Sequence, residues 1–497
     1  MSRQTKLIGT SMLMMAIVMT GFLVWCLPRS SAQETQSVLL PPRSHSPHWD
    51  HIGILDFGRA LPYITDRHIQ DLAYQWFTAH VDAAEEHGNA EAMRKQNTTM
   101  ELFHYQLDLS TCQHQNCGWD NPQEDLSLPE DYFLHFSENT QLRFMALDGK
   151  EVTTVSLPGC PSPQPIHKSC RVQVFVWGDS RWVFNTQHPG FRTWKAGELL
   201  HLSNDRNVNA IFLDEHGPGF SITFSWGRQV QSMSGTGIRE FNGARPQSPE
   251  LEQSYNASVA GWLNTLGSTL RPVGKYVLLN TAGYSLEPLA VDQILAAKGV
   301  TTELMFRPDG WAGAYQFLQF IDLVKRLTAN GGVTDLHGSP CYTGPAGYTA
   351  GNFRSSQERY RMWRVAGYYL VKESNGNSGR VFFNPTFCPN FQPGQEMEFT
   401  KEWLPAYQFD VGRPIAEPSV FHHGKAGCDY TVFGRAYTKA LILVRPKDFW
   451  NCTDYGDSTV ATITLPQPMR LLRGDGTLGP PNMTASIRNA EALILMP

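Results

Sequence analysis

The sequence predicts a (β/α)8 barrel followed by a small all-β, sandwich-like C-terminal domain. Three observations carry this. Eight short apolar segments each end in a polar residue, helical patterns lie between them, and past residue 405 the texture changes to short strands and turns. A length of 497 residues is too great for one ordinary domain, which agrees with two folded units.

The elements follow in chain order. Arg3 and Lys6 precede an apolar run from Leu7 to Leu27, ended by Pro28 and Arg29, with Ser30-Ser31-Ala32 offering small residues for cleavage. The run is long for a signal peptide and nearly long enough to span a bilayer. Residues 1–32 are therefore expected to be a cleaved signal peptide, the preferred reading, or an uncleaved membrane anchor. Both readings export the rest of the chain to a secreted or extracytoplasmic location. Trp25 before Cys26 breaks the small-residue pattern of a lipidated cysteine. Residues 33–48, with Pro41, Pro42 and Pro47, read as a linker.

The barrel is expected over 49–404. Its strands are His51–Asp56, Leu102–Asp108, Arg181–Asn185, Ala210–Glu215, Tyr276–Asn280, Val300–Glu303, Val333–His337 and Arg380–Asn384. Such runs, without clean alternation, suit strands buried on both faces. Asp66 caps an expected helix through about residue 80, with Ile69, Leu72, Ala73, Trp76 and Phe77 as its apolar stripe. Tyr315–Leu327 is a second, stopped by Gly331-Gly332. A third opens at Ser355 and runs to Leu370. Alternating strands and helices imply βαβ units and a parallel sheet. An open doubly wound sheet is the alternative, but no glycine-rich phosphate loop follows the first strand. Residues near 110–178 form an insertion rich in Pro and Cys. From 405 to 497 the strands are Thr431–Tyr437, Ala440–Val444, Thr459–Leu465, Met469–Leu472 and Ala492–Met496. His422-His423 reads as a surface loop of that domain.

Composition narrows the partners. A formal charge of −5 and the lack of a long basic run give no reason to expect nucleic acid. Apart from Cys26 the cysteines form an even set. Pairing of neighbours is expected: Cys112–Cys117, Cys160–Cys170, Cys341–Cys388 and Cys428–Cys452, although sequence alone does not fix connectivity. Disulfides are the default in an exported chain, with buried free thiols as the alternative. No CxxC spacing or Cys/His cluster points to metal, and no cofactor is expected. Asn97, Asn256, Asn451 and Asn482 head Asn-x-Ser/Thr sequons, which matter only in a glycosylating host.

In a barrel of this kind the site lies at the C-terminal strand ends. Here these are Asp56, Asp108, Asn185, Asp214 with Glu215, Asn280, Glu303, His337 and Asn384. Any one alone reads as a turn cap. Together they suggest a polar, carboxylate-rich cup, since buried strand positions tolerate such residues only when paired or facing a cavity. Glycoside hydrolysis needs two carboxyl groups flanking the scissile bond. The candidates are Asp214 as nucleophile or base and Glu303 as acid. Glu215 is adjacent to Asp214 and points to the opposite face of an extended strand. Glu215 paired with a nearby Arg, and Glu303 in a rim salt bridge, are the structural alternatives. Asp56, Asp108, Asn185, Asn280 and His337 are candidates for sugar hydroxyls. Trp311, with Trp177, Trp182, Trp194 and Trp226, is a candidate stacking platform. Core packing is the alternative for each Trp. Ser232-Met-Ser234-Gly235 is not a Gly-x-Ser-x-Gly elbow.

The segment Arg181-Trp-Val-Phe-Asn-Thr-Gln-His-Pro-Gly-Phe-Arg-Thr-Trp194, with Val208-Asn-Ala-Ile-Phe-Leu-Asp-Glu-His-Gly-Pro-Gly219, resembles the barrel-type glycosyl hydrolases. The likeness is in particular to the hypothetical glycosyl-hydrolase-like family 15, over roughly residues 50–400. The resemblance implies a (β/α)8 barrel, often with a following β-sandwich, and a Phe-Leu-Asp strand end with a later strand-borne Glu, here Glu303. It implies a reaction class and no particular substrate, and the first reading is a retaining or inverting glycosidase acting on an extracellular polysaccharide or oligosaccharide. The insertion at 110–178 departs from the pattern. A non-catalytic carbohydrate-binding or surface-assembly protein is the second reading, since a barrel does not dictate function. A lid-covered hydrolase of another ester or amide is the third.

Overall fold

A computed structural model of the chain describes residues 54–56, 77–82, 94–95, 100–112, 128–137, 141–146, 151–156, 170–176, 179–224, 229–233, 237–281, 283–303, 305–308, 311, 313–337, 353–372, 380–384, 406, 409–425, 429–447 and 460–497. The expected signal or anchor and the linker lie outside these residues, as do Cys117, Cys160, Cys341, Cys388, Cys428 and Cys452. Cys112 is described by its backbone alone, and Cys170 is disulfide-bonded. Among the described residues no helix is long and apolar enough to cross a membrane.

Strands β1 (Ile54–Asp56), β2 (Phe77–Asp82) and β3 (Glu101–Gln106) come first. Five strands follow, four within the expected insertion and the fifth just past it: β4 (Ser110–Cys112), β5 (Gln141–Ala146), β6 (Glu151–Ser156), β7 (Gln173–Val176) and β8 (Asp179–Val183). Then come helix α1 (Pro189–Asp205), β9 (Ala210–Leu213), the short helix α2 (Phe220–Thr223), β10 (Gln229–Met233) and α3 (Pro249–Leu270). Strict alternation follows: β11 (Tyr276–Leu279), α4 (Pro288–Ala297), β12 (Gly299–Thr301), α5 (Ala314–Ala329), β13 (Val333–His337), α6 (Phe353–Val371) and β14 (Arg380–Asn384). The caps are local. Pro189 and Pro249 open α1 and α3, and His188 Nδ1 and Ser248 Oγ accept first-turn N–H groups from Phe191 and Leu251.

Eight strands form one sheet in the order β11-β9-β3-β2-β1-β14-β13-β12, every neighbouring pair parallel. A parallel bridge from Asn280 to Thr301 also joins its two end strands. Phe103 on β3 meets Phe382 on β14 edge-on at 5.9 Å, although β2 and β1 lie between them. Strands stand about 4.8 Å apart, so a flat sheet would hold these rings roughly 14 Å apart. The sheet is therefore strongly curled. Its two faces are buried differently. Leu102, Ile211, Leu213, Val277, Leu279, Val300 and Leu336 pack with the helices. Phe103, Ala210, Phe212, Tyr276, Leu278, Val333 and Phe382 form a separate cluster on the inner face.

Two expected elements change. Arg181–Asn185 is not a strand of the parallel sheet. Its residues up to Val183 form β8, antiparallel to β4 and β7 in a separate three-stranded sheet. The apolar run was the same, but β7 lies only Trp177-Gly178 away and captures it as a hairpin partner. The parallel strand in its place is β2, expected as the end of the helix opened at Asp66. Phe77, Ala79 and Val81 alternate with Thr78, His80 and Asp82, a period of two that the preceding helical stripe obscured. Expected helices at 315–327 and 355–370 are found as α5 and α6, slightly longer.

The tail forms an antiparallel sheet from β15 (Ser419–Lys425), β16 (Asp429–Ala436), β17 (Leu441–Arg445), β18 (Ala461–Leu471), β19 (Asn482–Ile487) and β20 (Glu491–Met496), in the order β15-β16-β17-β20-β18-β19. Phe433, Ile442, Val444 and Ile494 join the main core, while Val432, Leu441, Leu443 and Leu493 form a second one on the other face. The two strands expected at 459–472 are one strand, irregular between Thr464 and Met469, and β19 was not expected. His422 and His423 belong to β15 rather than to a loop, facing Tyr430 Oη and Thr431 Oγ1 at 3.1 Å each. Arg435 fastens this sheet to α6. Its Nη1 donates to the carbonyls of Leu370 at 3.1 Å, Tyr369 at 3.3 Å and Lys372, which the helix end leaves without intrahelical donors. Arg435→Met keeps the apolar stem and strands these buried carbonyls. Urea unfolding of the variant is expected to show a loss of about 2–4 kcal/mol.

Candidate active site

The site sits where the inner face of the parallel sheet reaches the C-terminal strand ends. On β9, Ala210 and Phe212 point inward, and alternation brings Asp214 to the same side. On β11 the inward series is Tyr276, Leu278, Asn280. Backbone bonds carry the ladder past the strands: Asp214 N donates to Gln106 O at 3.1 Å and Asn280 N to Leu213 O at 2.8 Å. The half-buried Asp214 and Glu303 meet on one nitrogen. Asn280 Nδ2 donates to Asp214 Oδ1 at 2.6 Å and to Glu303 Oε2 at 2.5 Å. Asp214 also accepts from Tyr105 Oη on Oδ2 at 2.5 Å and from Glu215 N on Oδ1 at 2.8 Å. Burial, then the Asp214 charge and its hydrogen bond, push the Tyr105 phenol far above its ordinary value, so it stays a donor.

Beneath this layer lies Asp335 on β13, fully buried, whose Oδ2 accepts from Thr301 Oγ1 at 2.6 Å. Burial pushes its carboxyl up to about 7. Thr301, Asn384 and the Arg364 charge oppose that push, and the Glu303 charge adds to it. A lower layer pairs Glu101 with Tyr276 Oη and Arg380.

The other expected residues are dispersed. Glu215 adopts φ 62° and is held by Arg181 Nη1 at 2.6 Å. His337 and Asn384 close β13 and β14 opposite one another, at the same end of the sheet as Asp214. Asp56 ends β1, described by its backbone alone. Three expectations of sugar contact are corrected. Asp108 is fully buried past β3, accepting from Trp262 Nε1 at 2.6 Å and facing His216 Nε2 at 2.7 Å. It serves the packing of the β9 loop on α3. Asn185 follows β8, where its amide donates to Asp131 O at 3.1 Å and its oxygen accepts from Gln187 N at 3.2 Å, a turn lead-in to α1. Trp311 is 1% exposed, packed between Phe317 and Phe320 in the core, with no face for a ligand. Trp182 packs on Phe133 under Arg171, and Trp194 against Phe184 and Phe191. Trp177 and Trp226 lie outside the described residues. The sequon residue Asn256 is buried in α3 against Gln293. Among the described residues no group of three His, Cys, Asp or Glu side chains stands close enough to hold a metal ion.

Tyr105 and Arg181 were missed. Tyr105 was legible by strand alternation, two residues beyond Phe103 on β3. Arg181 was not, because it comes from another sheet.

No protein-family model and no curated protein matches the chain, so the resemblance to the glycosyl-hydrolase-like family 15 stands on the quoted residues alone. Among solved structures, the chain is similar to the α-amylase of Anoxybacillus at 11% identity, covering 90% of this chain and 98% of that one, with a TM-score of 0.42. The maltogenic α-amylase AmyB of Thermotoga neapolitana gives 10%, 90%, 98% and 0.44. Aspergillus fumigatus Ega3, in complex with galactosamine, gives 10%, 69%, 93% and 0.33. Similarities of this size carry no inference about activity.

Asp335 yields a pH prediction. The folded chain holds its proton up to about pH 7, whereas the unfolded chain releases it near 3.8. The stability contributed by the neutral carboxyl is complete below about pH 4 and is lost as pH rises through about 7, on the order of 4 kcal/mol in all. Asp335→Asn still accepts from Thr301 and does not titrate. Its stability in urea is expected to exceed that of the wild type at pH 8, with the advantage shrinking towards pH 4. An advantage independent of pH would sink the assignment.

Proposed function

We propose that the protein is a retaining glycoside hydrolase acting on an extracellular polysaccharide or oligosaccharide, with Asp214 as nucleophile and Glu303 as acid/base. One observation supports this above the rest. Asp214 Oδ1 and Glu303 Oε2 each lie within 2.6 Å of Asn280 Nδ2, so these oxygens are at most about 5 Å apart. Retaining enzymes hold their carboxyl groups about 5–5.5 Å apart, and inverting ones roughly 6.5–9.5 Å. Glu215, in contrast, is held in an ion pair by Arg181. We infer also that the curled sheet closes as a (β/α)8 barrel with this site at its mouth, and that the chain is exported by its N-terminal segment.

The residues divide the chemistry. Glu303 Oε2 accepts from Asn280, so its acidic proton sits on Oε1. The Asp214 carboxylate attacks the anomeric carbon as the bond to the leaving oxygen breaks, and that oxygen takes the Glu303 proton. The Glu303 carboxylate then removes a proton from water, whose oxygen displaces Asp214. Tyr105, donating to Oδ2, holds Asp214 in orientation.

Sugar release from a polysaccharide panel, using the chain from residue 33 onward, tests this. Glu303→Gln is expected to lose at least about a hundredfold in rate, and Asp214→Asn more. Tyr105→Phe removes one hydrogen bond to a charged group and should cost roughly ten- to a hundredfold in kcat. NMR of the first-formed product should show the substrate's own anomeric configuration. Release that survives in Asp214→Asn or Glu303→Gln would mean the wrong carboxylate. Glycan binding without release in the wild type would favour a non-catalytic carbohydrate-binding protein.

A further inference from the structure

The turn that presents Asp214 is pinned from several sides. His216 N donates to Asn280 O at 3.0 Å, and the buried His216 ring lies between Asp108 and Gln293. Between these two anchored residues Glu215 adopts φ 62°. This left-handed conformation is costly for a side chain other than Gly, Asn or Asp, and where one persists something must hold it. Here it lets the chain pass from Asp214 to the anchored His216 while the Glu215 N–H donates to Asp214 Oδ1 at 2.8 Å.

The holder comes from outside the parallel sheet. Arg181 lies on β8, in the middle of the sheet β4-β8-β7, with its side chain 6% exposed. The sheet is anchored beside it. Arg171 forms a two-pronged ion pair with Glu130 at 2.7 and 2.6 Å, and its guanidinium lies over Phe133 and Trp182. His135 bridges Glu130 at 3.1 Å and Glu240 at 2.7 Å. Trp182 follows Arg181 directly, so the register of Arg181 is fixed by this packing.

We propose that Arg181 is a positioning residue of the site: by clamping Glu215 in its left-handed conformation it holds the turn between Asp214 and the anchored His216, and with it the Glu215 N–H that donates to Asp214 and fixes the carboxylate for attack. The sheet β4-β8-β7 thereby supplies a working part of the site. Glu215 is then a tether and not an acid or base. This rests on the hydrolase reading above.

Three variants separate positioning from bulk stability. Arg181→Gln and Glu215→Ala both break the clamp, and each is expected to lower kcat at least tenfold with KM changed less than threefold. Glu215→Gly also breaks it, but Gly adopts the left-handed backbone without a tether. It is expected to keep at least fivefold more kcat than Glu215→Ala. Equal loss in the Ala and Gly variants, or an effect of Arg181→Gln confined to KM, would overturn the proposal. Should the wild type release no sugar, the hydrolase reading fails, and the clamp is judged by hydrogen exchange in peptides covering 212–217. Exchange there at least tenfold faster in Arg181→Gln and in Glu215→Ala, with α3 unchanged, keeps the clamp. Unchanged exchange in both removes it.

Discussion

Two catalytic carboxyl groups must be held at a fixed spacing, and here a primary amide ties them together. Asn280 offers one N–H to Asp214 and the other to Glu303. A carboxamide has two hydrogens in a fixed plane, so it sets the spacing and the mutual orientation of its acceptors together. Asn280 can act in this way because its own backbone is tied to Leu213 on one side and bridged to Thr301 on the other. The contact of the two end strands of the sheet is thus also the meeting place of the two acids.

Below that level the inner face shows what a curled parallel sheet requires. Side chains from different strands converge on one space, and every polar group among them must find a partner there. Glu101 finds Tyr276 and Arg380, and Asp335 finds Thr301. Between these polar layers Phe103, Phe212, Leu278 and Phe382 exclude water. The exclusion raises the Asp335 carboxyl, and the Glu303 charge raises it further. Ionisation in one layer is therefore coupled electrostatically to the layer above.

The insertion enters the same network from the side. Glu130, His135 and Arg171 pair within it, His135 also ties it to Glu240, and Arg181 reaches the strand end at Glu215. A segment that reads as an excursion from the fold is in this way coupled to the backbone conformation of its central turn.

The sequence by itself determined the local terms. Apolar runs without alternation marked seven of the eight parallel strands, because burial on both faces leaves that trace in any window. The spacing of Phe317, Phe320, Ile321 and Val324 marked α5, and the polar strand ends included Asp214, Asn280 and Glu303. The tertiary structure decided what depends on partners. It assigned the run at Arg181 to a hairpin and Phe77–Asp82 to the parallel sheet, since strand pairing is a competition between segments that no single window contains. It also separated Asp108, Asn185 and Trp311 from the site. A polar strand end looks the same in sequence whether it faces a cavity or a buried Trp262, and only the neighbours that long-range packing supplies distinguish the two.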